Sequence, residues 1–321
     1  MELTPSYPVD YQPDFGGETF VNTILERVGN TPLIRVRNLD WKLYGVQILA
    51  KAEWFNPGGS VKDRPALRMI QDAETSGKLT REKTILDSSS GNMAVSYSMI
   101  GAAMGYKVKV VVPSNISQAH LNTIKSFGTE VVFSNALEGS DGAIRLAHEI
   151  AEKDPDQYYM PNQYSNPSNW KAHYFTTAQE IWAQTQGQVT HLVAGVGTSG
   201  TLMGTGRGLK DKKPSVEIIA VEPDNGLHGI EGLKVMKESI VPGIYDTSVI
   251  DRTIHVSTEE AYAAANDLAV TKGLFAGSSS GAAMAAALKV AHDMKQRGVI
   301  VVIFPDGGIR LALNRKKFLD D

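Results

Sequence analysis

Lys62 lies in the run Asn56-Pro57-Gly58-Gly59-Ser60-Val61-Lys62-Asp63-Arg64. The run before it, Val46-Gln47-Ile48-Leu49-Ala50-Lys51-Ala52, alternates and is rich in aliphatics, which predicts a strand. Pro57-Gly58-Gly59 then turns the chain, and Ser60 followed three residues later by the acid Asp63 predicts a helix start. Lys62 is thereby expected in the first turn of a helix. An ammonium there meets the positive end of the helix dipole at a cost of about 0.3–1 kcal/mol, which a neutral amine or an imine nitrogen escapes. The position therefore favours amine chemistry. On local grounds a solvated surface lysine between Val61 and Asp63 is the alternative.

Three helix openings share small, hydroxyl-bearing and glycine residues: Ser88-Ser89-Ser90-Gly91-Asn92, Gly195-Val196-Gly197-Thr198-Ser199-Gly200-Thr201 and Gly277-Ser278-Ser279-Ser280-Gly281. Each offers backbone N–H groups and hydroxyls at a helix N-terminus, which makes an anion site. Plain helix capping explains any one of them; three together with Lys62 ask for more. The middle loop also matches the dinucleotide fingerprint Gly195-x-Gly197-x-x-Gly200, with Glu222 near the expected ribose-binding acid. That would suit an NAD(P) oxidoreductase. However, the fingerprint lies well past the middle of the chain, and it leaves Lys62, the Ser89–Asn92 loop and Ser279 without roles. Pyridoxal phosphate employs all of them. Its aldehyde needs a lysine, its phosphate a loop of N–H groups, and its pyridine nitrogen a partner.

The elements that must position these residues alternate. Strands are expected at Leu33–Val36, Val46–Ala52, Thr84–Asp87, Lys107–Pro113, Glu130–Phe133, His191–Gly195, Glu217–Val221, Thr253–Val256 and Val299–Phe304. Helices are expected at Val21–Val28, Met93–Met104, Gln118–Phe127, Asp141–Lys153, Ala261–Thr271 and Ala282–Arg297. This alternation predicts an α/β protein of parallel sheets covered on both faces, with the site at the carboxyl ends of strands. Residues 1–20 read as an irregular arm. Asn162-Gln163-Tyr164-Ser165-Asn166-Pro167 interrupts the pattern, so the expected division is a smaller, mobile domain at 56–166 and a larger one from 1–55 plus 167–321.

At 321 residues the chain can bury two cores. Its 42% hydrophobic and 21% charged content is that of a soluble globular protein. A net charge of −3 without a basic stripe argues against nucleic acid. With no cysteine, disulfides, thiolate catalysis and cysteine-held metals are excluded. No basic residue precedes Arg27, no apolar run is long enough to span a bilayer, and a cytoplasmic location is expected.

The whole chain resembles the fold-type II pyridoxal phosphate enzymes, in particular the cysteine synthase (O-acetylserine sulfhydrylase) family and its cystathionine β-synthase relatives. The matching motifs are Gly29-Asn30-Thr31-Pro32-Leu33, Asn56–Arg64, Ser90-Gly91-Asn92, Gln163-Tyr164-Ser165-Asn166-Pro167, Gly197–Thr201 and Ser279-Ser280-Gly281, spread over about residues 23–310. The resemblance implies two three-layer parallel-sheet domains of the tryptophan synthase β-like fold, and a homodimer. It implies that Lys62 is the Schiff-base lysine that also moves the Cα proton. Asn92 would meet the cofactor's ring oxygen, Gly197, Thr198, Ser199, Gly200 and Thr201 its phosphate, and Ser279 its pyridine nitrogen. Ser89, Ser90, Gly91 and Met93, with Gln163, would hold the substrate's α-carboxylate. The implied reaction is β-replacement giving L-cysteine from O-acetylserine or O-phosphoserine and sulfide. Alternatives are the serine–homocysteine reaction and a cofactor-binding regulatory protein of little turnover. Met93 departs from the family's threonine, and Ile309-Arg310-Leu311-Ala312-Leu313 departs from its usual Arg-Tyr-Leu-Ser ending. Lys234 and Arg207 are the cations that could suit a phosphorylated donor.

Overall fold

In the computed structural model, which describes residues 23–37, 39, 45–89 and 91–308, the apolar runs sort into two sheets. The first contains Leu33–Arg35 (β1), Val46–Ala52 (β2), His191–Gly195 (β7), Glu217–Pro223 (β8), Arg252–Val256 (β9) and Gly298–Phe304 (β10). Its order is β1-β2-β10-β7-β8-β9, parallel except for the β1–β2 edge pair. The second contains Thr84–Ser88 (β3), Val108–Pro113 (β4), Glu130–Ser134 (β5) and Tyr158–Tyr159 (β6), in the order β5-β4-β3-β6, all parallel. The sequence reading anticipates every strand except β6, which is only two residues long. The N-terminal arm, Ser90 and the Ile309–Leu313 ending lie outside the described residues.

Both sheets are the middle layer of three; in the larger one β7, β8 and β10 carry apolar residues on both faces. Thr258–Lys272 (α8) and Ser278–Asp293 (α9) cover one face of the larger sheet, with Ala261, Leu268, Ala283, Ala287 and Val290 packed on Ile219, Ile300 and Val302. Thr177–Gln184 (α6) and Gly200–Lys212 (α7) cover the other, through Ile181, Leu202, Met203 and Leu209. The smaller sheet carries Asp63–Thr75 (α1), Asn92–Met104 (α2) and Gln118–Ser126 (α3) on one face and Gly139–Lys153 (α4) on the other. Pro167–Phe175 (α5) begins inside the Asn162–Pro167 interruption: the Asn166 side chain caps it and Pro167 takes N1, where no N–H is needed.

The helices α2, α4 and α8 start one to three residues before the expected positions, and two further starts, those of α1 and α9, differ at the site. α1 begins at Asp63, which places Lys62 at its N-cap rather than inside its first turn. Ser60 is held instead in a bridge to Asp306, and its hydroxyl accepts from the Lys62 N–H at 3.3 Å. Asp63 turns back to accept from the Gly58 N–H at 2.5 Å, while Pro65 suits the helix's first turn. α9 starts at Ser278, earlier than Ala282, so Ser279 lies inside its first turn.

Candidate active site

In the larger sheet, β7 continues through α7 to β8 on one side, while β10 lies on its other side. The carboxyl ends of β7 and β10 stand side by side, and the carboxyl edge of a parallel sheet is where ligand crevices form. A cleft of about 1580 Å³ occupies this place, lined by Ala194 and Gly195 from β7 and by Ile303, Pro305 and Asp306 at the end of β10. Across it stand Lys62, Ser89, Gly91, Asn92, Met93 and His120 from the side of the smaller sheet.

Most of the sequence-selected residues meet here. Lys62, Ser89, Gly91, Asn92, Met93, Gln163, Gly197, Thr198, Ser199, Thr201 and Ser279 all line the cleft. Gly200 does not; it is packed so closely on the Asn169 amide that a Cβ would collide with it. Burial lowers the Lys62 pKa, and the field of Asp306 opposes but does not cancel that effect. Neutral amine, the nucleophilic form, is correspondingly easier to reach.

The Gly197–Thr201 loop is a backbone cradle. A Cβ on Gly197 would run into the Gly232 carbonyl. Ser199 occupies the left-handed region at φ 69°, a conformation that costs a non-glycine residue about 1–2 kcal/mol, and it forms the N-cap of α7. Its buried Oγ has no hydrogen-bond partner among the described residues. A strained turn, a missing Cβ and an orphaned buried hydroxyl at a helix N-terminus fit an anionic oxygen group such as a phosphate. Asn169 Nδ2 donates to Thr198 Oγ1 at 3.2 Å. Behind the loop, His173 lies 3.3 Å from Thr201 Oγ1 through Nε2 and 2.9 Å from Thr177 Oγ1 through Nδ1. Burial, reinforced by the Arg64 charge, pushes the His173 pKa down to about 3, so its imidazole is neutral. Nothing in the local sequence marks His173 as a site residue: Thr177 is four residues on, but the contact that ties it to the loop, Thr201, is 28 residues away.

The α2 opening is tied together through Ser89. Ser89 Oγ accepts from the N–H groups of Gly91 and Ala94, both at 3.0 Å, which leaves its own O–H to donate. Gln163 Nε2 donates to the Ser88 carbonyl at 2.7 Å, joining the two segments. Beneath them the buried Asp87 accepts from Tyr97 Oη at 2.8 Å, from the Ser88 N–H at 2.8 Å and from the Gln163 N–H at 3.2 Å. Met93 contributes its place in the first turn of α2, while its side chain is 2% exposed and joins the Tyr97–Ile100 core.

The oxidoreductase alternative loses its acid. Glu222 is buried, accepts from the Met236 N–H at 3.1 Å, and is absent from the cleft lining. Lys234 pairs with Asp141 at 2.8 Å and lies over the Tyr164 ring, while Arg207 pairs with Asp246 outside the cleft.

The chain matches the family described as pyridoxal-phosphate dependent enzyme over residues 24–306. It is 48% identical over 291 residues to the cysteine synthase of Aquifex aeolicus (strain VF5), covering 89% of each chain. A cystathionine beta-synthase of Apis mellifera is 39% identical over 88% of this chain, which spans 59% of that relative. The crystal structure of a cysteine synthase from Entamoeba histolytica superposes with a TM-score of 0.87 at 33% identity, covering 100% of this chain and 95% of that one. Taken with a cleft that offers a pKa-lowered lysine and a backbone cradle that fits a phosphate, these matches place the chain in the family of pyridoxal-phosphate dependent enzymes.

Proposed function

We propose that this enzyme makes L-cysteine from O-acetylserine and sulfide, with Lys62 as its catalytic residue. The observation that carries the reading is the pKa-lowered amine of Lys62 in one cleft with the Gly197–Thr201 cradle and Ser279. When bound, pyridoxal phosphate supplies an aldehyde that condenses with amines and a ring that spreads the charge left at Cα. Lys62 would hold the cofactor, and its Nζ would take the Cα proton and later return it. Between those two proton transfers acetate leaves Cβ and sulfide adds there, so the proton count closes. Gly197, Thr198, Ser199, Gly200 and Thr201 hold the phosphate, and Asn92 the ring oxygen. Ser279 offers the pyridine nitrogen a neutral hydroxyl. Without a carboxylate partner that nitrogen need not be protonated, which favours β-elimination over transamination. Ser89, Ser90, Gly91 and Met93 of the α2 opening, with Gln163, receive the α-carboxylate.

A neutral acyl donor suits the lining better than O-phosphoserine. Lys234 is committed to Asp141 and Arg207 to Asp246, so neither is free to receive a donor phosphate. The similarity to a cystathionine beta-synthase supports homocysteine as a second nucleophile, and a cleft of this size admits it. The same reading takes residues 56–166 as a smaller body that closes on the remainder, and the enzyme as a cytoplasmic homodimer. No helix among the described residues is long and apolar enough to cross a membrane.

Lys62→Ala should abolish β-replacement and the borohydride-reducible link between cofactor and protein. Persistence of that link in the mutant would overturn the assignment. Steady-state assays of O-acetylserine, O-phosphoserine and serine, each with sulfide or homocysteine, decide the substrates. The expected order puts O-acetylserine with sulfide first.

A further inference from the structure

Asn92 is gripped from both sides of the cleft. Its Nδ2 donates to Asp306 Oδ2 at 2.7 Å, and its Oδ1 lies 3.1 Å from Nε2 of His120 on α3. The carboxylate only accepts, so the amide nitrogen must face Asp306 and the amide oxygen must face the imidazole. That oxygen also only accepts, which puts the proton of His120 on Nε2. Ser117 Oγ lies 2.8 Å from Nδ1 and donates to it when the ring is neutral. The ring is 4% exposed and lies so close to Gly91 that a Cβ there would come within 2.7 Å of His120 Cε1. His120 is therefore fixed by packing as well as by its hydrogen bonds.

We propose that His120 is a positioning residue for the reaction. Through the chain Ser117–His120–Asn92–Asp306 it sets the rotation of the Asn92 amide, leaving the second N–H of Nδ2 for an oxygen on the ring of the bound cofactor. Asp306 alone does not achieve this. It fixes one end of the amide, and the His120 N–H fixes the other, so the group can neither swing nor flip. The chain also spans the cleft, because His120 and Asn92 lie on helices of the smaller sheet and Asp306 follows β10 of the larger one. The amide is thus oriented only while the two sides stand together. The inference rests on Asn92 as the partner of the ring oxygen.

The test uses holoenzyme of His120→Phe, His120→Gln and Asn92→Ala, read by the visible absorption of the bound cofactor and by steady-state kinetics. Phe fills the ring's volume without a donor; Gln restores a side-chain N–H. His120→Phe should shift the absorption band in the same direction as Asn92→Ala. It should also lower kcat roughly three- to tenfold, as expected for one hydrogen bond, with a smaller change in KM for the amino acid. His120→Gln should recover both, and the His120→Phe/Asn92→Ala double variant should lose little beyond Asn92→Ala. A normal band and kcat in His120→Phe, beside a shifted Asn92→Ala, would overturn the role of His120 alone. An unshifted band in Asn92→Ala would overturn the underlying reading of Asn92. If His120→Phe does not fold, His120→Leu, which also lacks a donor, takes its place in the single- and double-variant comparisons with the same expected and overturning outcomes.

Discussion

Asp87 shows what a single residue does beneath the site. Burial pushes its pKa up to about 6, against hydrogen bonds from Tyr97, Ser88 and Gln163 that favour the carboxylate. The folded protein therefore holds a proton here that the unfolded chain has already released between pH 3.8 and about 6. In that window stability falls as pH rises, and the contribution is fully lost above the folded pKa. Glu180 behaves in the opposite sense. Burial would raise it, but Arg64 and Lys51 hold its pKa down to about 2, so its contribution is lost as pH falls from 4.5 toward 2. Denaturation measured from pH 2 to 7 in wild type, Asp87→Asn and Glu180→Gln should separate the two. Asp87→Asn should remove the decline between pH 4 and 6, and Glu180→Gln should flatten the acid limb. Parallel curves for wild type and Asp87→Asn would contradict the raised pKa. At this scale the sequence was legible for Lys62, Ser89 and Gly197, whose types and local spacing announce them. It was silent on Asp87, His120 and Asp306, each of which also has a partner tens to hundreds of residues away: Gln163, Asn92 and Asn92 respectively.

At the scale of elements, α1 delivers Lys62 because its first turn is anchored elsewhere. Arg64 donates to Glu53 at 2.7 and 2.8 Å and to Glu180 at 2.6 and 2.8 Å, and Nζ of Lys51 reaches Glu180 at 2.6 Å. Thr31 and Asn56 complete the network through their bonds to Glu53, and Asn56 Oδ1 takes the Gly29 N–H at 2.8 Å. The Gly29–Leu33 and Asn56–Arg64 motifs are thus two halves of one buried ion cluster linking β2, α1 and α6. Arg64→Ala strands Glu53 as an unpaired buried charge, and such losses destabilise by about 3–5 kcal/mol. Chemical denaturation should show a loss of this size together with weaker cofactor retention; a loss below about 1 kcal/mol would mean that the cluster does not hold the turn. The motifs were visible in the sequence, but their common function was not, since ion pairing across 116 residues leaves no local period.

At the scale of the molecule, the proposed homodimer predicts a scattering mass twice the 34.7 kDa of the chain. Phe55 and Phe275, 57% and 41% exposed, are the kind of apolar surface that association covers. A mass of one chain at micromolar concentration would remove the dimer. The sequence by itself determined the α/β class, nearly every strand and the three loops, and it singled out Lys62 as the lysine proposed to react. Hydrophobic period, helix-start chemistry and glycine turns are all written within a few residues. The tertiary structure alone decided which loops share a cleft, that Lys234 and Arg207 are neutralised by carboxylates, that Glu222 is turned to the Met236 amide, and that His120 grips Asn92. These depend on strand order and on the approach of two sheets, where side chains distant in sequence meet at hydrogen-bond distance.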